Sequence, residues 1–193
     1  MTVQAPQVVV GYDFSLHGRS ALERAIALVS RAPFHVLHFV TVIDPHAGVD
    51  IVPHHGKIDF AYADRVRDVM LAEIGKTLAV TPVAAEVQFF AHARIGKPAD
   101  EILDLSREIG ADLILIGTHG HTGVSRLVMG SVAERVVREA GCAVLVARPK
   151  VYPDVELLPI VEVERTKPIR SRVVQFSYVN NNVMMRPPEW PIS

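Results

Sequence analysis

The sequence predicts an α/β domain in which helices pack on both faces of a parallel sheet. Three observations carry that prediction. Short apolar runs rich in β-branched residues recur through the first 149 residues. Stretches with apolar residues at helical spacing separate them, one in each gap. Glycines, prolines and capping residues mark the boundaries. Strict alternation of strand and helix requires crossover connections, and these build parallel sheets.

Gln7 to Asp13, QVVVGYD, reads as a buried first strand. Ser15 suits the N-cap of a helix whose apolar face is Leu22, Ala25, Ile26 and Val29, with Pro33 just past its end. Phe34 to Ile43 is the second strand, and His38 within it reads as a satisfied core or edge histidine. DPHAGVDIVPHHGK is loop. Its His46, His54 and His55, near Asp44, Asp50 and Asp59, are too irregularly spaced to define a metal site, so no protein metal ligand is expected. Tyr62, Val66, Val69, Met70, Ile74 and Leu78 mark a second helix, ended at Thr81-Pro82. Ala85 to Ala91 is the third strand.

Gly96 then leads to a helix with Pro98 in its first turn and Asp100 and Glu101 behind it. Its apolar face is Ile102, Leu105 and Ile109, and Gly110 stops it. Asp112 to Gly117 is the fourth strand. SVAERVVREAG is the fourth helix, with Gly141 as its stop, and Ala143 to Pro149 is the fifth strand.

From Lys150 the pattern changes. Seven of the 13 prolines lie at Pro149 or beyond, and no helical period returns. VELLPIVEVE and RSRVVQFSYV have strand-like composition. This gives a core of residues 1–149 and an extension of β or irregular character over 150–193. The extension is rich in Val, Leu and Ile, so it is expected to pack on the core or on a dimer partner.

Composition narrows the function classes. The formal net charge is -1, with no basic excess to suit nucleic acid. No apolar run is long enough to span a membrane, and the N-terminus lacks a secretory pattern. The one cysteine, Cys142, reads as a small buried hydrophobe in a reducing compartment. A soluble, cytoplasmic protein is expected.

Gly117 to Ser131, GTHGHTGVSRLVMGS, is where ligand chemistry concentrates. It is not a Walker A loop, because Gly56-Lys57 runs into Ile58 and Gly96-Lys97 into Pro98. It is not a Rossmann fingerprint either, since its early glycines are three apart and follow the fourth strand. Glycines free backbone N–H groups for phosphate oxygens, and Gly130 and Ser131 open a helix whose N-terminus is positive. Ser131 can cap that helix or donate its hydroxyl to phosphate. Taken alone, the loop serves equally well as a structural turn.

VVVGYDFS, GKPADEIL, the glycine loop and CAVLVARP, in that order, make residues 5–149 resemble the universal stress protein family. The spacing Gly117-x2-Gly120-x9-Gly130-Ser131 resembles its ATP-binding branch. The resemblance implies an open five-stranded sheet of order 3-2-1-4-5, with a ligand crevice where strands 1 and 4 part. It places Gly11, Tyr12 and Asp13 along the nucleoside, and Phe39 where backbone groups meet adenine. Gly117, Thr118 and Gly120 would line the ribose and α-phosphate. Gly130, Ser131 and Val132 would hold the outer phosphates. Ser131 and Thr118 match hydroxyls that accept phosphate in some members, though nothing nearby marks either as activated. His121 stands where the family often has Lys or Arg, and gives phosphate less than a fixed cation. Arg126 and Arg135 are candidate replacements.

The implied ligand is ATP, or ADP or AMP, with Mg2+ held through the phosphates. The implied assembly is a homodimer through Ala143 to Pro149, acting on a regulatory protein partner with little or no hydrolysis. Two rivals remain: a slow ATPase or phosphotransferase using His119 or His121, and an adaptor with a vestigial pocket.

Overall fold

The computed structural model describes residues 5–31, 35–46, 51–53, 57–81, 87–120 and 129–149, together with the strand residues 176–179 and 182–185. The chain divides into two units, residues 1–151 and 152–193. In the first, the elements are β1 (Gln7–Gly11), α1 (Leu16–Arg31), β2 (Val36–Ile43), α2 (Phe60–Val80), β3 (Gln88–Ile95), α3 (Pro98–Ile109), β4 (Leu113–Gly117), α4 (Ser131–Glu139) and β5 (Ala143–Ala147). The five strands are all parallel, in the order β3-β2-β1-β4-β5. The sheet that the resemblance implied is the sheet observed.

Strand alternation splits the core between the two faces. Val8 and Val10, Leu37 and Phe39, and Leu115 pack with α1 and α2 through Leu22, Ile26, Met70 and Ile74. Val9, Val40, Ile114 and Ile116 pack with α3 and α4 through Ile102, Leu105 and Val136. The central strands β1 and β4 are buried on both sides, as a doubly covered parallel sheet requires.

The helix ends follow local chemistry. Ser15 caps α1, its Oγ accepting the Gly18 amide at 3.0 Å. Asp59 caps α2 by accepting from the Tyr62 amide at 2.9 Å. Gly110 ends α3 in a left-handed conformation, φ 63°, where an L side chain is strained.

Four readings need correction. Val69 is exposed on α2, because Ala63, Val66 and Met70 turn the buried stripe away from it. β3 continues to Ile95, four residues past the expected end. His92 and Arg94 alternate with Ala91 and Ala93 along this edge strand. α4 ends at Glu139 with Ala140 extended, so Gly141 is not a left-handed stop. Gly130, not Ser131, is the N-cap of α4.

His38 is satisfied as expected. It is buried, with Nδ1 3.1 Å from His92 Nε2 and Nε2 2.9 Å from Gln7 Oε1. Cys142 is partly buried against the α3/α4 face. Burial, helped by the charge of Asp112, raises its thiol above the ordinary range.

In the second unit, β6 (Phe176–Val179) and β7 (Asn182–Met185) pair antiparallel, with Phe176 opposite Met185. β6 falls in RSRVVQFSYV, whereas β7 was not anticipated. The packing of the extension, and VELLPIVEVE, lie outside the described residues. Among the described residues, no helix is long and apolar enough to cross a membrane.

Candidate functional site

β1 connects to β2 on one side, while β4 lies on its other side. The connections therefore diverge beyond the carboxyl ends of β1 and β4, leaving a gap there. A cleft of about 240 Å³ opens at that point. Gly11, Tyr12 and Asp13 line it from β1, and Gly117, Thr118, His119 and Gly120 from β4. Gly130, Ser131, Val132 and Ala133 close it from the start of α4. Motifs more than 100 residues apart in sequence thus share one cavity.

Phe39 is not among the lining residues. It is fully buried in the α1/α2 core, with its ring 5.8 Å from that of Phe89. The β2 residues that line the cleft are Val40, Val42 and Ile43, and Asp44 follows them. Val40 and Val42 project to the face opposite Phe39, and Ile43 lies at the carboxyl end of β2. Ile51, Pro98, Ile102 and Ile116 complete an apolar wall that sequence reading did not assign. Asp44 was legible, because ligands in open α/β sheets sit beyond strand ends and Asp44 immediately follows β2. His121, Arg126, His54, His55 and Asp50 lie outside the described residues. Among the described residues, no group of His, Cys, Asp or Glu is placed to hold a metal ion.

The β1–α1 turn is built around Asp13. Its Oδ1 accepts from the Ser15 amide at 3.0 Å and from the Ser15 hydroxyl at 2.6 Å. Phe14, between them, has φ 64°, a conformation a bulky residue rarely adopts. Its ring packs 4.7 Å from Tyr12, helping to hold the turn. Burial first, then the charge of Glu73, raises the Tyr12 phenol further above its ordinary range. Tyr12 therefore enters the site as a neutral group at neutral pH.

The glycines have intramolecular reasons to be there. A Cβ on Gly117 would lie 2.7 Å from the backbone carbon of His17, so α1 docks directly on that bare Cα. A Cβ on Gly120 would lie 2.8 Å from Asp13 Oδ2, and one on Gly130 3.1 Å from the Thr118 carbonyl. Gly130 has φ -63° and ψ 148°, which other residues can adopt. Close approach, not a special dihedral, is what calls for glycine there.

The Gly130 amide donates to the Thr118 carbonyl at 2.8 Å, tying the end of β4 to the start of α4. Thr118 Oγ1 lies 2.8 Å from His17 Nδ1, so its side chain is engaged by α1. At α4 the first helical bond runs from the Glu134 amide to the Gly130 carbonyl at 2.9 Å. Gly130, as the N-cap, has no side chain with which to cap the preceding amides. Ser131, Val132 and Ala133 thus present backbone donors, with the positive end of the helix dipole, at the cleft. Arg135 is committed elsewhere, to Asp100 on α3 and to Glu139 at 3.2 Å.

Residues 6–148 match the model of the universal stress protein family. The universal stress protein YxiE of Bacillus subtilis is 30% identical over 151 residues, covering 74% of this chain and 98% of that protein. A universal stress protein of Methanocaldococcus jannaschii is 51% identical over 53 residues, a match spanning 28% of this chain and 31% of the relative. A crystal structure of a universal stress protein in complex with cAMP superposes with a TM-score of 0.51 at 22% identity, covering 74% of this chain and 95% of that one.

Proposed function

The chain belongs to the universal stress protein family, and from that premise we propose that it binds an adenine nucleotide, ATP with Mg2+ on its phosphates. Occupancy of the cleft then serves as a signal to a protein partner. One observation carries this reading. Ser131, Val132 and Ala133, in the first turn of α4 behind a glycine N-cap, line a cleft whose other walls are an apolar surface and Asp13. That combination suits a ligand with an anionic end and a flat, largely apolar end. The cAMP complex of a structural neighbour supports a nucleotide as the ligand class.

Little or no hydrolysis is part of the proposal. Efficient phosphoryl transfer needs a positioned base or water-orienting group. Thr118 is held by His17, and Asp13 Oδ1 by Ser15. The proposal also includes cytoplasmic placement and a homodimer that joins the β5 edges of two copies, Ala143 to Pro149.

Thermal unfolding with added MgATP tests the binding. A ligand held only by the native state at one hundred times its Kd adds about 2.7 kcal/mol, raising Tm by about 5–10 °C in a chain of this size. No shift at millimolar MgATP supports the vestigial-pocket rival.

A further inference from the structure

We infer that His17, in the first turn of α1, is a positioning residue for the phosphate end of the nucleotide site. It acts through Thr118, which it holds where the start of α4 needs it. The inference rests on the nucleotide reading above and adds to that site a residue that reaches it through a neighbour.

Three elements meet at Thr118, which is buried and lines the cleft. Its amide donates to the Ala147 carbonyl on β5 at 3.0 Å, and its carbonyl accepts the amide of Gly130, the N-cap of α4, at 2.8 Å. Its hydroxyl lies 2.8 Å from His17 Nδ1 on α1. That bond holds in either tautomer of His17, because a hydroxyl both donates and accepts. His17 is itself fixed on two sides. Its backbone carbon abuts the bare Cα of Gly117, where an added Cβ would lie 2.7 Å away, and its ring centroid is 5.1 Å from that of His119. One residue of α1 thus touches Gly117, Thr118 and His119 in succession, the segment that forms the cleft wall after β4.

The consequence for the ligand follows from geometry. Two backbone bonds define an axis about which Thr118 can still turn. The side-chain bond to α1 supplies a third point and stops that rotation. Without it the Thr118 carbonyl tilts against the Gly130 amide, and a hydrogen bond weakens steeply with misalignment. The first turn of α4 then shifts, Ser131 and Val132 included. The apolar wall of the cleft at Val40 and Val42 is built into β2 between β1 and β3, and does not depend on this contact. Loss of His17 therefore weakens the grip on a ligand's anionic end and spares its apolar end.

Equilibrium competition with MgATP and with adenosine, which has no phosphate, tests this on the full chain. The variants are His17→Ala, His17→Asn, Thr118→Val and the double variant His17→Ala/Thr118→Val. Asparagine carries a polar atom close to where Nδ1 stands in histidine. His17→Ala is expected to weaken MgATP about ten-fold, the scale of one lost hydrogen bond, and to leave adenosine within about two-fold. The retained adenosine affinity also shows that the variant is folded. His17→Asn keeps the bond to Thr118 and is expected to bind MgATP within about three-fold of the parent. In the Thr118→Val background the His17→Ala loss shrinks to about two-fold or less, the non-additivity of two groups that act as one. Equal weakening of MgATP and adenosine in His17→Ala overturns the assignment and leaves the nucleotide site standing. So does a His17→Asn variant as weak as His17→Ala, or a full His17→Ala loss in the absence of the Thr118 hydroxyl. If neither ligand binds the parent, the nucleotide reading falls and this role of His17 with it.

Discussion

At Gly130 the structure replaces one reason for glycine with another. Its backbone angles suit any residue, but a Cβ would press on the Thr118 carbonyl at 3.1 Å. Gly130→Val is expected to fold, with a loss of about 1–3 kcal/mol from overcrowding, and to lose ATP binding because its methyls occupy the phosphate end. Urea unfolding and ATP titration of the same sample separate the two effects. A second residue-scale prediction concerns His38, whose pKa burial lowers to about 4, with His92 opposing its charge. Burial and then Arg94 lower His92 as well, partly offset by Glu108. The unfolded chain takes up these protons near pH 6.5, while folded His38 does so only near 4. Stability therefore falls as pH drops through 6.5, by up to about 1.4 kcal/mol per pH unit per group, and the His38 loss is complete below about 4. His38→Gln should flatten the slope between pH 6.5 and 4, and an identical slope would remove His38 from this account. Sequence reading found the glycines and Asp13 because such residues are rare and spaced with purpose. The resemblance placed the backbone at Phe39 beside adenine, whereas the β2 residues that line the cleft are Val40, Val42 and Ile43. His17 carried no signal, since its partner Thr118 is 101 positions away.

Among the elements, those bounded by strong local chemistry were the legible ones. Pro98 and Gly110 delimit α3, and Ser15 starts α1. β3 was read short because an edge strand tolerates polar residues, and Arg94 there is satisfied by Glu101 and Glu108 across α3. Arg94 holds the Glu108 carboxyl below its ordinary range. The docking of α1 on β4 gives a prediction at this scale. Gly117→Ala places a methyl against the His17 backbone at 2.7 Å, where no flexible side chain can yield. Overpacking of this kind costs about 1–3 kcal/mol. The loss should appear in urea unfolding without any nucleotide, because it comes from helix docking. Wild-type stability in Gly117→Ala would show that the glycine serves the ligand alone.

The first unit is a two-faced sheet with a cleft at its switch point, and each level of the sequence agrees on that architecture. Among the described strands β5 is an edge, with Leu145 exposed on it and Val137 exposed on the neighbouring α4. An unpaired edge invites another strand, and two-fold pairing closes it. Light scattering is expected to give twice the 21.2 kDa chain mass, and a concentration-independent monomer contradicts the proposed dimer. In the proposed function, the start of α4 and the residues after β1 and β4 form one nucleotide site. Equilibrium dialysis of radiolabelled ATP with Mg2+ against the full chain, beside Gly130→Val, tests it most directly. Saturable binding at one site per chain is expected in the parent and none in the variant. No saturable binding to the parent, or equal binding to both proteins, contradicts it.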